Sequence, residues 1–340
     1  MKAFLLLFSP VSRLVCRIKG NLYAKGNLKP RKAPLPVVSV GNISFGGSEK
    51  TPLAMELIAR LLDRGWKPAL VSRGYRGQWE KEGGVLSDGA GPPPRGTWRQ
   101  GGDEPYMVAR RFPGAGVFVG RDKLASCRRA HELGFTAVVL DDAFQHLRLD
   151  RDLDIVLIDS REKLALREGA SSLRRAGIIL VRDAARPGTE EALKASFPGA
   201  AVFDYRTAPR GFVSLLDGEM APPDSFRGKS VLAFCGIANP SRFTNLLREL
   251  GVDVRGCLSF PDHHPYPAAS LEKIALSFAA SGAEAVVTTE KDAIKIAPAG
   301  TALESLPLHA LRIGLDIEVG FYDLVEAGLK KAAAGTEDRA

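Results

Sequence analysis

A chain of 340 residues can bury two separate cores, and its 45% hydrophobic and 25% charged residues, without internal repeats or low-complexity tracts, exclude a disordered or fibrous protein. The net charge of +8 arises at one end: Lys2, Arg13, Arg17, Lys19, Lys25, Lys29, Arg31 and Lys32 precede the first acid, Glu49. The rest of the chain is neutral overall, so the basicity belongs to an arm, and no nucleic-acid partner is expected.

Within that arm Phe4, Leu7, Phe8, Val11, Leu14, Val15 and Ile18 recur at helical spacing, with basic residues near the stripe's edges. A basic amphipathic helix suits an anionic membrane surface, where each Lys or Arg contributes about 1 kcal/mol. A signal peptide is a rival reading, although Pro10 interrupts the apolar stretch and no clear small-residue cleavage site follows. Packing of the helix against the body is the other alternative. No apolar run approaches the roughly 20 residues that span a bilayer. Cys16, Cys127, Cys235 and Cys257 lack metal-ligand or disulfide spacing, as in a reducing compartment.

From residue 35 strands and helices alternate. Strands are predicted at Pro36–Val40, Ala69–Ser72, Gly116–Val119, Ala137–Leu140, Leu153–Ile158, Ile178–Val181 and Ala201–Tyr205. Helices are predicted over 51–64, 104–112, 122–133 and 188–196, and a long surface loop over 77–101. Residues 207–228 read as an irregular linker. A second series follows: Val231–Cys235, a helix near 240–250, Val252–Leu258, a helix near 268–280, Ala285–Thr288, Leu308–Ile313 and a helix near 319–332. The expected organisation is an arm (1–34), a mainly parallel α/β domain like that of P-loop NTPases (35–206), the linker, a smaller α/β domain (229–333) and a frayed tail (334–340).

The first domain opens on a strand, Val38-Ser39-Val40-Gly41-Asn42, a glycine-rich loop, Ser44-Phe45-Gly46-Gly47-Ser48-Glu49, and then Lys50-Thr51 beginning a helix. Such a loop turns backbone N–H groups onto a polyphosphate, while the lysine adds charge and the threonine hydroxyl reaches Mg²⁺. The pattern G-x-x-x-x-G-K-[ST] asks for glycine at 44 and 49; Ser44 and Glu49 depart from it. Asp141-Asp142 ends a buried strand, where an acid can hold Mg²⁺ opposite the threonine. The Glu49 carboxylate either repels a triphosphate or points away from it.

Several further residues allow two readings each. Asp103, in Gly102-Asp103-Glu104-Pro105, is a helix N-cap or a catalytic group. Arg73, in Ser72-Arg73-Gly74-Tyr75, and Arg121 follow strands, as phosphoryl clamps or as surface charges. His146 lies near Asp141-Asp142. The loop Asp262-His263-His264 lacks a third ligand at short spacing for zinc. Thr289 to Asp292 has nearly the spacing of a capping box.

Taken in order, these segments resemble the tetraacyldisaccharide 4'-kinase family, over nearly the whole chain. They include Pro36–Asn42, the glycine-rich loop, Ser72–Tyr75, Gly102–Pro105 and Asp141–Leu149, then Gly236–Pro240, Asp262–His264 and Thr288–Asp292. The resemblance implies two α/β lobes and ATP- and Mg²⁺-dependent phosphorylation of the 4'-hydroxyl of a lipid A disaccharide 1-phosphate. It also implies attachment through the basic arm to the cytoplasmic face of the bacterial inner membrane; a monomer is the expectation, although the sequence leaves the oligomeric state open. Residue by residue it implies Lys50 and Arg121 on the phosphates, Thr51 with Asp141 or Asp142 on Mg²⁺, and Asp103 as general base assisted by His263. Residues 44–51 would cradle the nucleotide. Asn42, Arg73, Tyr75, Gln145, His146, Arg167 and Glu168 would meet the substrates. Ser44 is allowed by the family. Glu49 replaces a family glycine, and the stretch before Arg167-Glu168 is shortened, with Gly169 in place of a proline. An alternative function is a membrane-bound lipid A precursor-binding protein whose nucleotide loop is disabled by Glu49.

Overall fold

The computed structural model describes residues 14–44, 49–159, 166–182, 188–296 and 300–337. Expectations for the start of the arm (1–13), for Phe45, Gly46, Gly47 and Ser48, and for 160–165 lie outside these residues. The chain divides into two compact units, one running to Arg206 and resuming at Leu315, the other Thr207–Gly314.

In the first unit the strands are β1 (Val37–Asn42), β2 (Pro68–Ser72), β3 (Gly84–Asp88), β4 (Gly116–Val119), β5 (Ala137–Leu140), β6 (Leu153–Asp159), β7 (Ile178–Arg182) and the start of β8 (Ala201–Ser214). Their order is β8-β7-β6-β1-β5-β2-β4-β3, parallel throughout except for β3, which runs antiparallel along β4 at the edge. All six residues of β1 are buried, as expected of a strand covered on both faces. The chain works outward from β1 on one side, fills the gap with β5, then crosses to β6 on the other side. Ligand crevices form at such reversals, beyond the carboxyl ends of the strands.

A helix over residues 14–24 (α1) precedes the sheet. It is followed by α2 (Lys50–Asp63), α3 (Trp79–Glu82), α4 (Trp98–Gly101), α5 (Asp103–Arg111), α6 (Lys123–Glu132) and α7 (Thr189–Ser196). α2 buries Leu53, Leu57, Ile58 and Leu61 at helical spacing. Each such side chain, fully covered, contributes about 1.5–3 kcal/mol. By contrast Leu14, Val15, Ile18 and Leu22 of α1 share one face and stay exposed, so this face is not packed on the body.

The second unit orders its strands β11-β10-β12-β13-β8, with the short β9 (Met220–Ala221) antiparallel to β8. Here β10 is Ser230–Cys235, β11 Asp253–Ser259, β12 Ala285–Thr289 and β13 Leu308–Ile317; the helices are α8 (Pro240–Glu249), α9 (Ala268–Ser281) and α10 (Glu290–Ala293). Phe212, Phe226, Val231, Phe243 and Leu247 form one side of its core, and Phe234, Tyr266, Ile274 and Val286 the other.

The structure differs from the predicted elements in three places. The 77–101 loop contains α3, β3 and α4, because buried Leu86 anchors an edge strand despite the surrounding Gly and Pro. The 207–228 segment is not a linker. β8 continues to Ser214, and Phe212 stacks on Phe226 with ring centroids 3.9 Å apart. The final helix, α11 (Phe321–Glu337), belongs to the first unit instead of closing the second, with Phe321, Val325 and Leu329 buried at i, i+4 and i+8.

Candidate active site

Parallel strands bring their carboxyl ends to one edge of a sheet, so Asn42, Arg73, Arg121, Asp141 and Asp142, all at or just after strand ends, gather at one edge of the first unit. Asn42 is fully buried; its amide donates to the Ser44 hydroxyl (3.2 Å) and its side-chain oxygen accepts from Lys50 Nζ (3.2 Å). Lys50 and Thr51 open α2, and Lys50 Nζ lies 2.9 Å from Asp142 Oδ1. Thr51 donates its hydroxyl hydrogen to Glu104 (3.2 Å), a residue that the spacing of the motifs had not singled out.

The two aspartates after β5 differ. Asp142 takes a left-handed backbone, φ 47°, and turns its carboxylate to Lys50 and to Arg167, whose Nη1 lies 3.0 and 3.1 Å from its oxygens. The surrounding protein opposes its charge, but Lys50 and Arg167 prevail and hold the carboxyl well below the usual carboxylate range. Asp141 is 3% exposed, and its Oδ1 has no hydrogen-bond partner among the described residues. Burial first, then the Glu104 and Asp142 carboxylates, push it up to about 7. Beneath it the buried Lys123 donates to the Asp141 carbonyl (2.8 Å).

An unpartnered buried carboxylate oxygen near a hydroxyl-bearing helix start suits a hard cation. Mg²⁺ binds through one or two carboxylates and takes its remaining ligands from phosphate and water. Asp141 with Thr51 fits that ion, whereas Asp142 is committed to two cations. Among the described residues no group of three or more His, Cys, Asp or Glu forms a self-sufficient metal cage.

Arg167 and Glu168 reach the site despite the shortened segment before them, because both backbone N–H groups donate to the Ile43 carbonyl (2.8 and 3.3 Å). Glu168, 4% exposed, is held by Arg175 and by Gln145, which also donates to the Asn42 carbonyl (2.8 Å). His146 follows in the same turn. Burial, then Lys123 and other nearby cations, push its ring down to about 4, so it is neutral at ordinary pH.

Asp103 is the first residue of α5, not its N-cap; Gly102 stands at the cap. Its side chain is 6% exposed, and Oδ1 accepts from the Glu104 N–H (3.1 Å). Gly102 (φ 88°) and Gly74 (φ 67°) let two backbones touch: a Cβ on Gly74 would lie 2.9 Å from the Gly101 carbonyl oxygen. This contact sets the Arg73-Gly74-Tyr75 turn against the start of α5. Arg73 and Arg121 are not independent surface charges. Glu80 accepts from Arg73 Nε (2.8 Å) and from Arg121 Nε and Nη2 (3.2 and 3.1 Å). Glu80 lies inside the segment expected to be loop, so nothing in the sequence marked it. Tyr75 is 54% exposed, with the Arg76 guanidinium 5.5 Å from its ring centre.

Glu49 does not present its carboxylate as an isolated charge. It sits at the start of α2 with φ 56°, and its Oε1 lies 3.6 Å from Arg182 Nη1.

In the second unit His263 also has a left-handed backbone, φ 64°, and its N–H donates to the Gly236 carbonyl (3.2 Å). His263 Nε2 lies 3.4 Å from Lys291 Nζ, which is 3.6 Å from Asp262. Lys291 had not been singled out beside this histidine. Asp292 is architectural: fully buried, it accepts from the Gly236 N–H (2.9 Å), the Thr289 hydroxyl (2.8 Å) and Lys295 Nζ (3.2 Å). Thr289 caps α10 by accepting from the Asp292 N–H, as its spacing predicted.

A lysine and a threonine at a helix start, set among paired carboxylates and arginines at the carboxyl edge of a parallel sheet, define a phosphoryl-transfer protein of the α/β class. A profile of the family described as LpxK, tetraacyldisaccharide-1-P 4'-kinase, matches residues 1–330. The tetraacyldisaccharide 4'-kinase of Anaeromyxobacter dehalogenans is 40% identical over 96% of this chain and 89% of its own. That of Desulfotalea psychrophila is 34% identical over 94% and 96%. The crystal structure of LpxK from Aquifex aeolicus in complex with ATP superposes with a TM-score of 0.76, at 29% identity over 96% of this chain and 99% of that one. The chain belongs to the tetraacyldisaccharide-1-P 4'-kinase family.

Proposed function

We infer that the protein is an ATP-dependent kinase that phosphorylates the 4'-hydroxyl of a tetraacyldisaccharide 1-phosphate and so forms lipid IVA. The observation that carries this is Lys50 held at the carboxyl edge of the sheet by Asp142 and Asn42, in a chain that matches its relatives almost end to end. In this reading residues 44–51 work as a P-loop on the triphosphate of ATP, and Lys50 with Arg121 neutralises charge on the group in transfer. Thr51 and Asp141 would hold Mg²⁺, which would supply positive charge against the transferring phosphoryl group. The sugar oxygen bonds to the γ-phosphorus as the β,γ-bridging bond breaks. ADP departs, and Asp103 takes the hydroxyl proton. Asn42, Arg73, Tyr75, Gln145, His146, Arg167 and Glu168 are the proposed substrate contacts.

The exposed Leu14, Val15, Ile18 and Leu22 of α1, beside Arg17 and Lys19, support attachment to an anionic membrane surface, on the cytoplasmic face where the acceptor lipid lies. Among the described residues no helix is long and apolar enough to cross a membrane.

The test is transfer of labelled γ-phosphate from ATP to the detergent-solubilised disaccharide 1-phosphate, with and without Mg²⁺. Labelled lipid formed only with Mg²⁺ is expected. Lipid binding without any transfer would instead favour a precursor-binding protein with a disabled loop.

A further inference from the structure

The polyphosphate-binding pattern places glycine directly before its lysine, where the backbone turns left-handed against the phosphates. Glu49 keeps that backbone, with φ 56° and ψ 24°. A carboxylate left at this point would face the charge that the loop exists to bind. Instead the Glu49 side chain is 8% exposed and directed to the end of β7, with Oε1 3.6 Å from Arg182 Nη1.

The sheet has prepared this place. Strand register aligns Asp159 of β6 with Arg182 of β7, and Arg182 with Tyr205 of β8. Residues paired across parallel strands project to the same face, so these three side chains form one row. Arg182 Nη1 also lies 3.4 Å from Asp159 Oδ2, and Tyr205 is 2% exposed. Burial, then the Glu49 charge, push the Tyr205 hydroxyl well above its usual range, so it stays neutral beside the two carboxylates. One guanidinium therefore serves both Glu49 and Asp159, and its loss would remove an ion pair from each of two nearly buried carboxylates.

We propose that Arg182 is a positioning residue for the nucleotide: it draws the Glu49 carboxylate to the end of β7 and out of the phosphate cradle. A glutamate can then stand where the loop pattern asks for glycine. The proposal rests on the reading of residues 44–51 as the ATP site. Its effect falls on ATP affinity and not on the lipid.

The experiment uses the full chain in detergent. Equilibrium dialysis with ATP and Mg²⁺ comes first, then steady-state kinetics against ATP and against the disaccharide 1-phosphate. Arg182→Met is expected to raise KM for ATP at least tenfold, with KM for the lipid within twofold and kcat at saturating ATP within threefold. In a Glu49→Gly background the same Arg182→Met change is expected to alter KM for ATP less than threefold, since no carboxylate remains to be restrained. Should Arg182→Met not fold, Glu49→Asp gives the same test, because it keeps the charge but shortens the reach to Arg182. It is expected to raise KM for ATP at least fivefold. A native KM for ATP in Arg182→Met or Glu49→Asp overturns the proposal. So does an equal penalty in both backgrounds, which would mean a merely structural role for Arg182. Absence of ATP binding by the native chain refutes the ATP-site reading and this proposal with it, whereas native binding with an unaffected Arg182→Met refutes this proposal alone.

Discussion

Lys50 Nζ lies 2.9 Å from Asp142 Oδ1 and 3.2 Å from Asn42 Oδ1, so the ends of β5 and β1 hold the lysine between them. A charge fixed before the reaction needs no reorganisation as the phosphoryl group moves. Lys50→Met is therefore expected to lower kcat by about 10²–10³-fold. Labelled-phosphate transfer measures this, and retention of more than a tenth of native turnover would remove Lys50 from the transition state.

Asp103 is buried at the first turn of α5, where Gly102 takes the cap position and Asp103 Oδ1 accepts from the Glu104 N–H. Asp103→Asn should reduce transfer by roughly 10²–10⁴-fold, the usual worth of a general base, with ATP binding within about threefold of native. Parallel loss of ATP affinity, read by equilibrium dialysis, would make Asp103 a nucleotide ligand instead.

Asp141 makes a prediction about stability. Burial and the neighbouring carboxylates raise its folded-state pKa to about 7, above its ordinary value, so its charged form destabilises the fold. Well below the ordinary carboxylate pKa both states are protonated and the penalty vanishes; it grows as pH rises and is complete above about 7. Without Mg²⁺, Asp141→Asn should stabilise the protein by on the order of 1–3 kcal/mol at alkaline pH, and by almost nothing in acid, while Mg²⁺-dependent transfer is lost. Urea unfolding at several pH values checks this. A variant less stable than native at alkaline pH contradicts it.

Glu80 gathers Arg73 and Arg121 from two strand ends. Its own carboxyl is disfavoured by burial, but the arginines and the Arg76 N–H outweigh this and hold it below its usual range. Glu80→Gln should let both arginines swing, raising KM for ATP or for the lipid roughly three- to tenfold with a smaller change in kcat. Unchanged KM for both substrates would show that the arginines hold their positions without it.

On α1, Ile18 and Leu22 are 53% and 36% exposed on one apolar face. Ile18→Glu combined with Leu22→Glu should weaken co-sedimentation with anionic vesicles at least about tenfold, and added salt should weaken it for the native protein. Binding by the double variant equal to native would exclude this face as the anchor.

Much of the site was legible because its residues sit at strand ends that local pattern can find. Continuous apolar runs mark β1, β5 and β6, and whatever follows a parallel strand must emerge at the functional edge. Thr289 capping α10 was legible for the same reason, since the interaction spans four residues. Glu80, Lys123, Arg182 and Lys291 were not. Each acts on a partner far away in sequence, and a charged side chain in a loop or strand end carries no mark of the partner it will meet. Of the two readings open for Asp103, the structure does not show the cap, because Gly102, with positive φ, takes that position.

The sequence by itself determined the alternation of strands and helices, the lysine-threonine helix start, the acidic pair and the basic arm, all of which depend on neighbours within a few turns of chain. Tertiary structure decided the remainder. It joined α11 to the first unit, extended β8 through the supposed linker, bound Asp142 to Lys50 and Arg167, and turned Glu49 toward Arg182. These outcomes depend on sheet register, which brings distant residues into one row. A carboxylate's role, as ligand, ion pair or liability, is set by the charges that row places beside it.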